Sequence, residues 1–147
     1  TAYRRQRQMC IRDRVKTLSY AVNVAALRYA QSQGADDVIF TSTDGYLLEG
    51  PTSGLVIEAA DGLWTTPTGT TGILGSITVS TVFEAAGEDG VKTSTRLMKR
   101  DEVLRAQGAW LLSSVRGVAP ILSVDGHPAP QDEDMTHRLR AWAGFEN

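Results

Sequence analysis

The stretch LVIEAADGLWTT, residues 55–66, narrows the possible folds of this chain more than any other. Two β-branched or aromatic runs flank Asp61-Gly62, a pair suited to the positive backbone angles of a tight two-residue turn. The pattern predicts a β-hairpin turning at Asp61-Gly62. The fold must therefore contain an antiparallel sheet with at least one buried face.

Other segments supply what packs around it. Tyr20, Val24 and Leu27 follow the i, i+4, i+7 period, with Ser19 ahead and Gly34 behind, predicting a helix over 20–33 with those three residues inward. DDVIFTS reads as a strand, and Asp44-Gly45 as a turn into Tyr46-Leu47-Leu48-Glu49. SITVSTVFEAAGEDG reads as a helix capped by Ser76 or Thr78, despite its many β-branched residues. VKTSTRLM reads as a strand and KRDEVLRAQ as a short charged helix with Val103 and Leu104 inward. AWLLSSV is a buried strand, and APILSVDGHP a strand running into a turn. From Asp132 to Phe145, Met135, Leu139 and Trp142 mark an amphipathic helix. Strands and helices mixed in this way predict an α+β or pseudo-barrel domain.

With 147 residues and 41% hydrophobic content, one core is expected. No apolar run approaches the about 18 residues of a membrane span. The Arg-rich N-terminus has no apolar stretch behind it, so no secretory pattern is read. Cys10 is the sole cysteine, which rules out an intramolecular disulfide and fits a reducing, cytoplasmic setting. One cysteine and two histidines (His127 and His137) leave no ordinary Cys/His zinc set, and no metal is expected.

Charge is uneven. Residues 1–14, TAYRRQRQMCIRDR, carry five arginines and one aspartate, whereas the remainder has ten basic and sixteen acidic residues. A basic arm is what a nucleic-acid tether would show. A targeting peptide is also Arg-rich, but it should be amphipathic and Ser-rich. QRQMCIRDR also resembles a conceptual translation of sequencing-adapter DNA. On that reading 1–14 is a non-native segment, the domain spans 15–147, and its acidic balance argues against nucleic acid.

Four features could carry chemistry. Lys16 stands just before a predicted helix between apolar residues. It is either an ordinary surface lysine or an amine whose pKa is lowered by desolvation and the helix dipole. Glu49 lies between a run that wants burial and the breaker Gly50-Pro51; it is either an exposed turn carboxylate or an anion kept beside a cation. TGTTGILGSIT, residues 68–78, lacks the Gly-Lys-Ser/Thr of a phosphate-binding P-loop and the dinucleotide fingerprint. It is an ordinary loop and cap, or an anion cradle at a helix start. Ser113 and Ser114 end a buried strand, where their hydroxyls, or Arg116, could hold a phosphate or carboxylate. An amine, a carboxylate, a helix-start cradle and a strand-end Ser pair are together the parts a pyridoxal phosphate (PLP) site requires.

K-T-L-S-Y, G-A-D-D-V-I-F, G-Y-L-L-E-G-P-T-S, L-W-T-T-P, G-I-L-G-S-I-T and S-S-V-R-G-V-A-P-I occur in an order that resembles the class IV aminotransferases. These fold-type IV PLP enzymes include branched-chain and D-amino-acid aminotransferases and aminodeoxychorismate lyase. The resemblance covers roughly residues 15–126. It implies the large C-terminal pseudo-barrel domain of the D-amino-acid aminotransferase-like fold, truncated before the family's N-terminal small domain. It also implies PLP as cofactor, with Lys16 as Schiff-base lysine and catalytic residue, and Glu49 as partner of the pyridine nitrogen. Leu74 would pack on the cofactor ring, Ile77 and Thr78 would bind its phosphate, and Tyr20 would reach its phenolic oxygen. Ser114 would lie near the phosphate and, with Val115, contact the substrate.

The implied substrates are an amino acid and a 2-oxo acid, or aminodeoxychorismate in folate synthesis. The implied assembly is a cytoplasmic homodimer with no nucleic-acid or membrane partner. The second reading is a catalytically inactive fragment lacking the small domain. Two departures stand out. Gly75-Ser76 replaces the usual Pro-Gly pair, and Gly54 stands where the pattern often has Asn; both are expected to loosen the cradle.

Overall fold

The computed structural model describes residues 21–145, so Lys16, Tyr20, the Ser19 cap and the whole of 1–14 lie outside the described residues. The elements run α1 (Ala21–Ser32), β1 (Gly54–Ala59), β2 (Gly62–Thr65), α2 (Thr68–Thr71), α3 (Ile77–Glu88) and β3 (Thr93–Thr95). They continue with α4 (Arg100–Arg105), β4 (Gly108–Ser113), β5 (Gly117–Pro120), β6 (Ser123–Val124), β7 (His127–Pro128) and α5 (Glu133–Trp142).

The expected hairpin forms, with Ile57 opposite Trp64 and Ala59 opposite Gly62, but its turn is Ala60-Asp61 rather than Asp61-Gly62. Gly62 belongs to the strand through its pairing with Ala59, and the Lys92 carbonyl lies close against it. A Cβ there would collide with that carbonyl, and the backbone φ is +132°. Glycine is needed both for this close approach and for the positive φ with which the strand leaves the turn. The same carbonyl accepts the Leu63 N–H at 2.9 Å and brings in β3, parallel to β2. The strand expected over VKTSTRLM is only these three residues. All three are exposed, so burial provides little drive to extend the ladder.

The sheet has the order β3-β2-β1-β4-β5. Its central strands, β1 and β4, pair antiparallel and are buried on both faces, which explains why LVI and AWLL read as unbroken apolar runs. On one face Leu55, Ile57 and Leu111 pack with Leu47, Met98, Val103 and Ile121. On the other, Val56, Trp110 and Leu112 pack beneath Val79 and Val82 of α3 and Met135 and Leu139 of α5. Serine and aspartate caps start those two helices: Ser76 Oγ accepts the Val79 N–H, and Asp132 Oδ1 accepts the Met135 N–H at 2.8 Å. The strand expected over APILSVDGHP divides into β5 and a small β6–β7 ribbon turning at Asp125-Gly126.

α1 turns a different face inward from the expected one. Its buried residues are Asn23, Ala26 and Ala30, while Val24 is 44% exposed and Leu27 half-buried. Ala26 joins Phe40 and Leu48 in a third, smaller core, with Val38 and Ile73 at its margin. Segment 40–49 is a hairpin held by few bonds: Phe40 N–H to Glu49 O at 2.9 Å, Leu48 N–H to Phe40 O at 2.8 Å and Ser42 N–H to Tyr46 O at 2.8 Å. The Leu47 N–H bonds to Met98 O at 2.7 Å, seating this hairpin against the main domain.

Candidate functional site

Four of the segments singled out in the sequence meet at one end of the sheet. β1 starts there at Gly54, opposite Leu112 near the end of β4. α3 begins over the same point, because an added Cβ on Gly54 would lie 2.7 Å from Val79 Cγ2 and 3.1 Å from Ser76 Cβ. The β4–β5 turn, Ser114–Arg116, lies just beyond. The segment ending in Glu49 completes the group through the contacts that follow.

Glu49 is 8% exposed, so the solvated-turn reading does not hold. Its neighbour Leu48 belongs to the small core with Phe40, and Ile73, next to Leu74, packs at that core's margin. One carboxylate oxygen, Oε1, accepts the Leu74 N–H at 3.5 Å, a long bond. Burial pushes the Glu49 carboxyl up to about 7, and the single Leu74 amide only partly offsets this. A buried carboxylate so poorly compensated is stabilised by an added positive charge or proton donor.

Leu74 and Thr78 are half-buried, and the Ile77 side chain is 84% exposed. The Ser76 cap takes the Val79 N–H, and the N–H groups of Ile77 and Thr78 have no partner among the described residues. These are the first two amides of a 12-residue helix, the groups that stabilise an anion.

The two departures from the family pattern are in contact. Ser76 adds a side chain where the pattern has glycine, and Gly54 removes one directly opposite. The volumes compensate, so the α3 start packs tightly on β1 instead of loosening.

Ser114 is not the end of the strand. β4 stops at the buried Ser113, and Ser114 and Val115 form an exposed turn, with Val115 91% exposed. Ser113 Oγ accepts the Arg116 N–H at 3.0 Å and braces that turn. Nor is Arg116 simply solvated: its Nη1 pairs with Asp37 Oδ2 at 2.7 Å, while Asp37 Oδ1 accepts the Val38 N–H at 2.8 Å. Sequence reading missed Asp37, since a pairing across 79 residues leaves no local pattern. It also missed Asn23, whose amide was hidden among the alanines of α1.

Comparison with known proteins accords with this arrangement. The model of the amino-transferase class IV family matches residues 1–124. The bifunctional aminodeoxychorismate lyase / D-amino acid transaminase of Mycobacterium tuberculosis is 44% identical over 123 residues, covering 79% of this chain and 42% of that protein. Among solved structures, the fold IV-transaminase CpuTA1 of Curtobacterium pusillum superposes with a TM-score of 0.82 at 44% identity, over 90% of this chain and 46% of the other. A hypothetical aminotransferase from Mycobacterium tuberculosis in its PLP-bound form gives a TM-score of 0.82 at 41% identity, over 88% and 45%. The chain thus spans less than half the length of each of these three relatives. It has the fold of the fold-type IV transaminases, and it belongs to the amino-transferase class IV family.

Proposed function

We propose that this chain holds the cofactor of a PLP-dependent class IV aminotransferase or aminodeoxychorismate lyase. The observation that carries the reading is Glu49, a nearly fully buried carboxylate with one long amide bond, beside a helix start with two open N–H groups. Those residues fit PLP. Glu49 would sit against its protonated ring nitrogen, and the amides of Ile77 and Thr78, with the Thr78 hydroxyl, would take its phosphate. Leu74 would pack on the ring, and Tyr20 would meet the phenolic oxygen. When bound, PLP supplies an electron sink for the substrate's Cα.

The chain's own groups do the rest. Lys16 Nζ would hold the cofactor and, once the substrate amine takes its place and frees it, would accept the α-proton as general base. Glu49 keeps a negative charge in a dry site, where it acts more strongly than in water. The Ser114–Val115 turn orients the substrate carboxylate. Where Lys16 returns that proton would separate a transaminase from a lyase, in which pyruvate leaves the substrate. The intact protein is read as a cytoplasmic homodimer acting on an amino acid and a 2-oxo acid, or on aminodeoxychorismate. Because the chain covers only 42–46% of those three relatives, the second reading, an inactive fragment, concerns these 147 residues alone.

The test is to add PLP to the intact protein, record the visible spectrum, and map the site after borohydride reduction. The expected result is a visible band and a reduced adduct on Lys16, both lost in Lys16→Ala. Glu49→Gln should keep the adduct and lose most turnover. A wild type without a band, or an adduct on another lysine, refutes the reading. Weak PLP binding by the 147 residues alone supports the fragment reading for that piece, and turnover by it rejects that reading.

A further inference from the structure

The buried stripe of α1 is two alanines and an amide. Asn23 is 4% exposed, Ala26 and Ala30 are each 7% exposed, and no charged group joins them. Asn23 Nδ2 donates to the Pro51 carbonyl at 2.7 Å, across 28 residues. Its Oδ1 is buried without a partner among the described residues.

In stability terms this is a poor exchange. A net hydrogen bond contributes roughly 1 kcal/mol, and an unsatisfied buried acceptor costs about 1–3 kcal/mol. Local rules broken in this way tend to mark positions that serve a site. The bond's target is informative. Pro51 lies in the turn closed by the Gly50 N–H to Ser53 O bond at 2.9 Å, immediately after Glu49. The Glu49 carbonyl is itself held by the Phe40 N–H at 2.9 Å. The main chain around Glu49 is therefore fixed on one side by the hairpin and on the other by Asn23. In sequence, α1 begins five residues after Lys16.

We infer that Asn23 is a positioning residue: it clamps α1 to the turn after Glu49 and so fixes where the Glu49 carboxylate stands. The inference rests on the proposed PLP reading. It deepens that reading, because a polar bond from helix to turn would set the position of the carboxylate proposed to meet the cofactor's ring nitrogen.

The experiment compares wild type, Asn23→Ala and the isosteric Asn23→Asp in the intact protein. It measures PLP affinity, the pH at which the visible band of bound PLP changes, amide hydrogen exchange at Gly50 without PLP, and the melting temperature without PLP. Asn23→Ala is expected to weaken PLP binding by about tenfold or more, the equivalent of losing one buried bond. It should also shift the band's titration and speed exchange at Gly50, whose N–H closes the turn. Asn23→Asp sets a carboxylate against a carbonyl, so it should behave like Asn23→Ala at neutral pH. It should recover affinity, relative to wild type, at low pH, where the protonated acid donates to Pro51 O. Should Asn23→Ala fail to fold, the pH-dependent recovery of Asn23→Asp decides alone. Variants that lower the melting temperature but keep wild-type PLP affinity and band titration would reduce Asn23 to a structural role and overturn the inference. A wild type with no visible band removes the PLP reading, and the inference falls with it. A wild-type band with unchanged variants removes the inference alone.

Discussion

The guanidinium of Arg116 lies 2.7 Å from the carboxylate of Asp37, so the turn after β4 is tied to the segment leading into Phe40 and Glu49. Half of the Arg116 side chain is exposed, and an ion pair at such a surface contributes below about 1 kcal/mol. Asp37→Asn is therefore expected to leave the urea midpoint almost unchanged while freeing the turn. Hydrogen exchange at Val115 and Arg116 should quicken, and a substrate KM should rise more than kcat falls. Unchanged exchange would show that Ser113 Oγ alone holds the turn.

Packing at the start of β1 leaves no room for a methyl group. In Gly54→Ala the new Cβ would meet Val79 Cγ2 at 2.7 Å and Ser76 Cβ at 3.1 Å. Overpacking of this kind costs roughly 1–3 kcal/mol. The expected loss in urea denaturation should be partly relieved in Gly54→Ala/Val79→Ala. If the double variant is no better than the sum of the singles, the clash is not the cause.

Glu49 should make the cofactor-free protein more stable in acid. Its carboxyl is raised from 4.5 to about 7. The stabilising contribution of the protonated group is thus complete below 4.5 and is lost as pH rises through 7. The loss is on the order of 3 kcal/mol. Glu49→Gln, which removes the charge, should raise the melting temperature at pH near 8 and change it little at pH near 4.5. On the PLP reading the wild-type dependence flattens when cofactor is bound, because the carboxylate then has a cationic neighbour.

A second buried carboxylate behaves alike for reasons unconnected with the site. Burial raises Glu58 to about 7, the carboxylate of Asp132 adds to this, and Arg138 opposes it. Its Oε2 is buried without a partner among the described residues. The sign is the same: stability is greatest below 4.5 and is lost as pH rises through 7. Glu58→Gln should therefore stabilise the protein above neutrality without affecting PLP affinity, which distinguishes it from Glu49→Gln.

Much of the fold was legible because its determinants are local. Ser76 and Asp132 cap the helices they precede, and the apolar runs of β1 and β4 are the strands buried on both faces. A cap or an unbroken apolar run involves neighbours only a few positions apart, so it can be read without knowing what packs on it. The residues proposed for the site were named through resemblance, and the burial of Glu49 removes the solvated-turn reading of that position.

Tertiary structure decided the rest. In α1 the alanines give nearly every face some apolar character, so periodicity alone could not choose between Val24 with Leu27 and Asn23 with Ala26. Phe40 and Leu48 made the choice by packing on Ala26. The Lys92 carbonyl came to lie against Gly62, and Arg116 met Asp37 across 79 residues. Such contacts depend on which distant backbone or charge arrives at a point in space, and the order of residues near that point carries no trace of it.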